Sequence, residues 1–418
     1  MSQTENPSRG VRAVVSGTAL LSSTMLAVSA ANYGLNLVLA RLMSPAEFGD
    51  ASLAITLVLA AAVVAATLQL VASKAVASVP ETAEGARHTL MRGALIAGLI
   101  VVVVMGGGAW VLADLLNTST PWMFVLISLG LPIYFVQAVH RGVLQGQLRF
   151  SRLALTYGVE AAVRVVVVLV LVIAGLGVIG ASIGILLSFV ASATVARGRR
   201  VAAGERGAAV PWAVLRATVT AAVILLIGQT LMNYADLVLA KATFDPQIAG
   251  VYAAAAVLGR AVFFVSWSVV NSVFPVIASR STSPAQRLRA IGVAIGIIAA
   301  VGAAATTAAA LWGEVAITFA FGSEYAAAGA LLVPYSLATS LFAVVNLLAA
   351  ARVALGMAGA PILLLVAAAV QTVALVLWGT SPELLVWLQV AGTGAALIAM
   401  AALWLVRPLS RTDASAIS

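Results

Sequence analysis

Long apolar runs alternate with short polar connections along almost the whole chain. The runs lie at about 14–40, 51–73, 92–116, 121–140, 153–174, 177–196, 213–240, 250–277, 288–312, 327–350, 360–378 and 383–406. A helix needs about 20 apolar residues to cross a bilayer, so the pattern predicts an all-α membrane protein of about twelve transmembrane helices. The first run follows the short polar segment MSQTENPSRGVRAVVSG. It is too long for a signal-peptide core and lacks a convincing cleavage site, so it is read as the first helix.

Composition supports lipid as the solvent. Hydrophobic residues fill 62% of the 418 positions and charged residues only 9%, where a soluble domain carries about 25% charged. The connections leave no room for a folded soluble domain. With no cysteine, neither a disulfide framework nor a thiolate metal site is possible.

The net charge of +9 invites a nucleic-acid partner, but the placement of the charges argues against one. With the N-terminus cytoplasmic, Arg41 and Lys241 fall at external helix ends, and Arg164 and Arg260 fall inside spans. All the other basic residues, Arg141 and Arg352 among them, fall on the cytoplasmic side, which is a topology signal. An even number of spans returns the C-terminus to the cytoplasm. Trp110, Trp122, Trp312, Trp378 and Trp387 fall near the external interface, as an aromatic belt would.

The chain also repeats itself. Asn36–Arg41, followed by Pro45 and Gly49 in the next loop, matches Asp236–Lys241, followed by Pro246 and Gly250, at an offset of about 200 residues. A weaker echo pairs Arg141 and Gly146 with Arg352 and Gly356. These repeats predict two parallel six-helix halves, 1–200 and 201–418, around a central cavity. The Arg-rich stretch from Arg197 to Trp212 reads as their linker.

Candidate chemistry is sparse. No GxxxxGK[ST] phosphate loop occurs, and His88 and His140 have no partner at metal-ligand spacing. The longest external connection, about 312–329, is too short for a catalytic domain, so an enzyme, a cofactor and a resident metal are not expected. Charges inside spans are costly unless paired or wetted and are therefore informative. Glu160 and Arg164 share a helix face at i, i+4, either as a self-neutralising pair or as a lining pair of the cavity. Arg260 lies about 15 Å below the external surface at helical rise. Pairing with Asp236 would have to bridge several ångströms of depth. An unpaired Arg260 would suit an anionic headgroup such as pyrophosphate; the alternative is a structural partnership with Asp236 or a backbone carbonyl. Arg41 and Lys241 are either snorkelling anchors or a positive rim at the external mouth. Gly180-x-x-x-Gly184 and Gly292-x-x-x-Gly296 predict close helix approach, and Gly106–Gly108 is a plausible flexible point.

Four segments carry a family resemblance: LVLARLMSPAEFG in helix 1 and its exit, RGVLQGQLRFSR at 141–152, DLVLAKATFDPQIAGVYAAAAVLGR at 236–260, and FGSEYAAAGALL at 321–332. The chain resembles the Wzx-type polysaccharide-biosynthesis flippases of the multidrug/oligosaccharidyl-lipid/polysaccharide superfamily. The resemblance implies two six-helix lobes, a basic cavity faced by Asp236 and Arg260, and alternating access driven by a proton or sodium gradient. The implied substrate is an oligosaccharide on polyprenyl pyrophosphate, carried from the inner to the outer leaflet of a bacterial cell membrane. Membrane lipids, a polysaccharide polymerase and glycosyltransferases are the implied partners. The chain departs from the pattern in having few intramembrane charges, which puts cation coupling through any one carboxylate, such as Asp236 or Glu160, in question. A multidrug antiporter of the same fold is the main rival. A non-transporting scaffold for glycosyltransferases, acting through Arg197, Arg199 and Arg200, is the other.

Overall fold

The structure is a computed structural model that describes residues 7–78, 83–197, 212–263, 269, 273, 277, 282–355 and 359–406. Residues 198–211, with Arg199, Arg200 and most of the expected linker, lie outside the described residues, as do Arg280, Gly356, Arg407 and Arg411. The described elements are helices, as lipid demands of a backbone that must satisfy its own hydrogen bonds.

In chain order they are α1 (Pro7–Leu42), α2 (Pro45–Ser78), α3 (Ala83–Val101), α4 (Ala109–Leu115), α5 (Trp122–Gly146), α6 (Phe150–Leu171) and α7 (Gly177–Ala196). There follow α8 (Trp212–Thr243), α9 (Pro246–Gly259), α10 (Pro284–Phe321), α11 (Leu332–Ala354), α12 (Ala360–Trp378) and α13 (Pro382–Val406). Eleven stretches are long and apolar enough to cross a membrane. One of them, Phe150–Ala196, is 47 residues long, too long for a single crossing of about 20 residues. It is broken at the turn Val172–Leu176, where Gly175 (φ +86°) and Gly177 (φ +48°) take a backbone that costs only glycine nothing. Gly180 and Gly184 then fold back onto Leu171 and Val168, so α6 and α7 form a tight hairpin. The protein is a multi-pass membrane protein with eleven to twelve such helices.

Helix starts explain the repeated prolines of this chain. Pro45 and Pro246 were expected in loops; they are instead the first residues of α2 and α9. Proline suits that position because its missing N–H would have no partner there. Ser44 caps α2, with its backbone N–H and hydroxyl donating to Glu47, and the Asp245 carboxylate accepts from the Gln247 N–H to cap α9. Ser283 and Gln286 form a full capping box on α10. The expected external connection near 312–329 is likewise helical: α10 continues through a kink at Trp312 to Phe321, and Ser323–Leu331 is a 3₁₀ helix. Gly313 and Gly329 let the two segments meet backbone to backbone.

The chain divides into two compact units, Met1–Val223 and Ile224–Ser418. In the first, α5 packs against α2, α3 and α7, and α1 lies on α6. In the second, α11 packs against α10, α13 and α9, and α12 lies on α13. α5 and the segment leading through α11 contribute the most buried span of their respective units, so polar groups on them meet little lipid. The five tryptophans expected in an interfacial belt all lie on the surface, each more than half exposed. Two of them, Trp110 and Trp122, meet edge to face with centroids 5.9 Å apart.

Not every glycine spacing behaves as expected. Gly292 and Gly296 face open space, whereas Gly142 and Gly146 of α5 rest on the α2 backbone at Gln69 and Ser73. The run Gly106–Gly108 forms the exit of a π-helical turn, Val102–Gly106, and Gly106 sits against the Ser128 side chain. Close packing accounts for Gly106, while Gly107 and Gly108 lie over carbonyls of their own turn, those of Val103 and Val104.

Candidate functional site

Two clusters of buried charge stand out, one in each unit. In the first, helical spacing does the positioning. Thr156, Glu160 and Arg164 recur at i, i+4, i+8 on one face of α6, and Gln137 and Arg141 at i, i+4 on α5. α7 adds Ser192 and Phe189, and α1 adds Asn32. Glu160 Oε2 accepts from Arg141 Nη2 at 2.8 Å and from Gln137 Nε2 at 2.6 Å. Its other oxygen, Oε1, accepts from Arg164 Nη2 at 2.6 Å. Arg141 also donates to Thr156 Oγ1, the Thr156 carbonyl and Ser192 Oγ, each at 3.0 Å. Its guanidinium lies 3.8 Å above the Tyr157 ring. Arg164 reaches Asn32 Oδ1 at 3.3 Å. The cluster sets two guanidinium groups against one carboxylate inside spanning helices.

The second cluster centres on Asp236 of α8, which is fully buried. Arg260 Nη2 donates to its Oδ1 at 2.9 Å. Tyr252 of α9 and Tyr335 of α11 both donate to its Oδ2, at 2.9 and 2.5 Å. Arg260 is flanked by the rings of Tyr234 and Tyr335, 4.8 and 5.8 Å from their centroids. Beside this cluster a small, partly open recess of about 10 Å³ is lined by Asn233, Thr339, Gln389 and Thr393 together with Met232 and Phe342. Here charge is balanced one to one.

The fold that carries these clusters finds its match among known proteins. The model of one family, described as "Polysaccharide biosynthesis protein", matches residues 14–280. The chain belongs to that family. No curated protein matches it by sequence. Among solved structures it is similar to the lipid II flippase MurJ in an inward closed conformation, with a TM-score of 0.69 and 11% identity over 94% of this chain and 89% of that one. A eukaryotic MATE transporter matches with a TM-score of 0.65 and 13% identity over 97% and 98% of the two chains. A superfamily transporter from Pyrococcus furiosus gives 0.57 and 16% over 94% and 95%. At these identities the likeness shows the fold alone.

Within this polysaccharide biosynthesis family member the expected residues fare unevenly. Glu160 and Arg164 do pair, but as two members of a larger network that Arg141 completes. Arg141 had been counted among the cytoplasmic topology charges; it is buried. Its repeat counterpart Arg352 is fully buried too, its guanidinium 5.5 Å from the Trp404 ring and donating to the Leu403 carbonyl. A signal for both was present in the sequence, since the repeat pairs them. Arg260 is not the unpaired cation that a headgroup reading needs, and it meets Asp236 directly. α9 begins at Pro246 and Arg260 closes it, farther from the turn than expected. Side chains lean toward their own helix N-terminus, so Arg260 reaches back toward the α8–α9 turn while Asp236 leans away from it, and the depth gap closes. Arg41 is exposed, but Lys241 at the matching position is fully buried. Sequence reading also passed over Asp50, whose buried carboxylate accepts from the Ser119 N–H at 2.8 Å and its hydroxyl at 2.7 Å. Among the described residues no group of three His, Asp or Glu gathers to hold a metal.

Proposed function

We propose that this transporter carries a polyprenyl-pyrophosphate-linked oligosaccharide from the cytoplasmic to the outer leaflet of a bacterial cell membrane, by alternating access driven by a proton or sodium gradient. The observation that carries the reading is the charge excess in the first unit. Arg141 and Arg164 share one carboxylate, Glu160, within spanning segments. An excess cation in a low-dielectric setting is costly until an anion joins it, and the planar donor fork of arginine suits a pyrophosphate. Of the residues expected from sequence, Arg164 and Glu160 carry this proposal. Membership of the polysaccharide biosynthesis family and the likeness to a lipid II flippase support it. A cation-exporting multidrug antiporter would need free carboxylates, whereas Asp236 and Glu160 are both matched by guanidinium groups. The bacterial polymerase and glycosyltransferases that make and extend such a substrate are the partners that follow.

The test is leaflet-resolved analysis of lipid-linked saccharides in cells with and without the gene. Intact cells are treated with an impermeant glycan-modifying reagent before extraction and mass spectrometry. A polyprenyl-pyrophosphate saccharide is expected to accumulate in the protected inner pool of the deletion strain. An unchanged pool together with raised sensitivity to cationic drugs would replace this reading with the antiporter one.

A further inference from the structure

We infer that Arg164 is the exchangeable anion ligand of this protein, and that Arg141 is the positioning residue that makes it exchangeable. The inference rests on the proposed transport of an anionic headgroup and assigns that headgroup one residue.

The two arginines of the first cluster are held very differently. The Arg141 side chain is 4% exposed and fixed by Thr156, Ser192, Glu160 and the Tyr157 face. The Arg164 side chain is 16% exposed, and its Nε has no hydrogen-bond partner. Beyond Glu160 its polar contact is Asn32 at 3.3 Å, with the Phe189 ring 5.6 Å away. The division of the carboxylate matters most. Arg141 and Gln137 share Oε2, while Arg164 holds Oε1. If Arg164 leaves for an incoming anion, Glu160 keeps a guanidinium at 2.8 Å and an amide at 2.6 Å. No buried charge is stranded, and the charge-assisted bond lost at Oε1 is replaced by one to the ligand.

The second cluster lacks this provision. Asp236 has a single guanidinium partner, Arg260, and otherwise two phenol donors. Drawing Arg260 away would leave a fully buried carboxylate without a countercharge, which is strongly unfavourable. Arg260 is therefore a fixed structural cation, and Arg164 is the one free to change partners. Arg141 acts through Glu160: without it, Glu160 would claim Arg164 for itself.

The proposal predicts a pattern of rescue. The probe is farnesyl pyrophosphate, a short polyprenyl pyrophosphate, titrated calorimetrically into the full chain in nanodiscs, with farnesol as the control for partitioning of the tail. Wild type is expected to bind the pyrophosphate in a salt-sensitive manner. Arg164→Gln should weaken binding by roughly tenfold or more, the worth of one charge-assisted hydrogen bond. Arg141→Gln should weaken it comparably, and adding Glu160→Gln to that variant should restore it, because Arg164 is then released. The Asp236→Asn/Arg260→Gln double variant, neutral at both positions, should bind within about threefold of wild type. Size-exclusion profiles establish which variants are folded, and the two double variants keep the test open if Arg141→Gln is not. Loss of binding in the Asp236/Arg260 double variant with Arg164→Gln unaffected would overturn the assignment while leaving the headgroup reading intact. Failure of Glu160→Gln to rescue Arg141→Gln would overturn the positioning role. Wild-type protein that treats farnesyl pyrophosphate and farnesol alike would overturn both the assignment and the reading beneath it.

Discussion

Tyr335 donates to the same oxygen of Asp236 that Tyr252 does, at 2.5 Å, which leaves the other oxygen to Arg260. Three helices therefore meet on one carboxylate: α8 through Asp236, α9 through Tyr252 and Arg260, and α11 through Tyr335. The arrangement is a buried tie within the second unit, and its energetics are those of a buried ion pair. Removing one partner strands the other, whereas removing both charges need cost little.

The first prediction follows from that asymmetry. Arg260→Ala should destabilise the protein by about 3 kcal/mol, the scale of a broken buried pair. Adding Asp236→Asn should recover much of the loss, since a neutral amide tolerates burial beside two hydroxyls. Thermal unfolding of the four proteins in detergent gives the double-mutant cycle. Equal and additive losses would show that the two residues do not depend on each other.

How much of this was legible in the sequence depends on which physical signal carried it. Apolar periodicity placed the helices, because every span in lipid must be long and apolar. It misplaced their starts at Pro45 and Pro246, since a proline after Ser or Asp reads equally as a turn and as a capped first helical residue. The α6–α7 hairpin was separable only because glycines interrupt the run at Gly175 and Gly177. For the charged sites the sequence supplied candidates without partners. Glu160 and Arg164 are visible together because they share a helix. Arg141 comes from another helix, and its closeness to a loop made it look topogenic. Its burial depends on α5 lying in the middle of the unit, which no local pattern encodes. The pairing of Arg260 with Asp236 was one of the readings left open, and the direction in which side chains lean, which closes the gap in depth, decides it.

Close helix contact gives the second prediction. A Cβ on Gly142 would strike the Gln69 carbonyl oxygen and would lie 2.6 Å from the Ala72 Cβ. Backbone of α2 cannot yield as a side-chain tip can, so Gly142→Ala should cost about 1–3 kcal/mol. Gly292 has no atom within 4 Å of the same added carbon, so Gly292→Ala should be neutral or stabilising by up to about 1 kcal/mol. Thermal unfolding of the two variants side by side checks the contrast. If both lose stability equally, the α2–α5 contact is not the determinant.

Helix capping supplies a third. Ser283 accepts from the Gln286 N–H while the Gln286 side chain accepts from the Ser283 N–H, so two otherwise unpartnered donors of α10 are satisfied. Ser283→Ala should cost about 1 kcal/mol, and Ser283→Asp should retain most of it, because a carboxylate caps equally well and favours a helix N-terminus. Hydrogen exchange of the first turn of α10 reports the effect locally. Protection unchanged by Ser283→Ala would mean that the cap contributes nothing.

The fourth concerns the shape of a guanidinium as distinct from its charge. Arg141 spends its Nε on Thr156 Oγ1 and its Nη2 on the Thr156 carbonyl, Ser192 and Glu160, and its guanidinium lies over the Tyr157 ring. A lysine ammonium is a single point with no face to stack and cannot span the Thr156 hydroxyl and Glu160 together. Arg141→Lys preserves the countercharge of Glu160 but loses the fork and the stacking. Its unfolding temperature should therefore fall between those of wild type and Arg141→Ala, with Arg141→Ala lower by the additional cost of a stranded Glu160. Combining Arg141→Ala with Glu160→Gln should raise stability above that of Arg141→Ala alone. A lysine variant as stable as wild type would show that charge is all the site requires; one as unstable as the alanine variant would show that geometry decides.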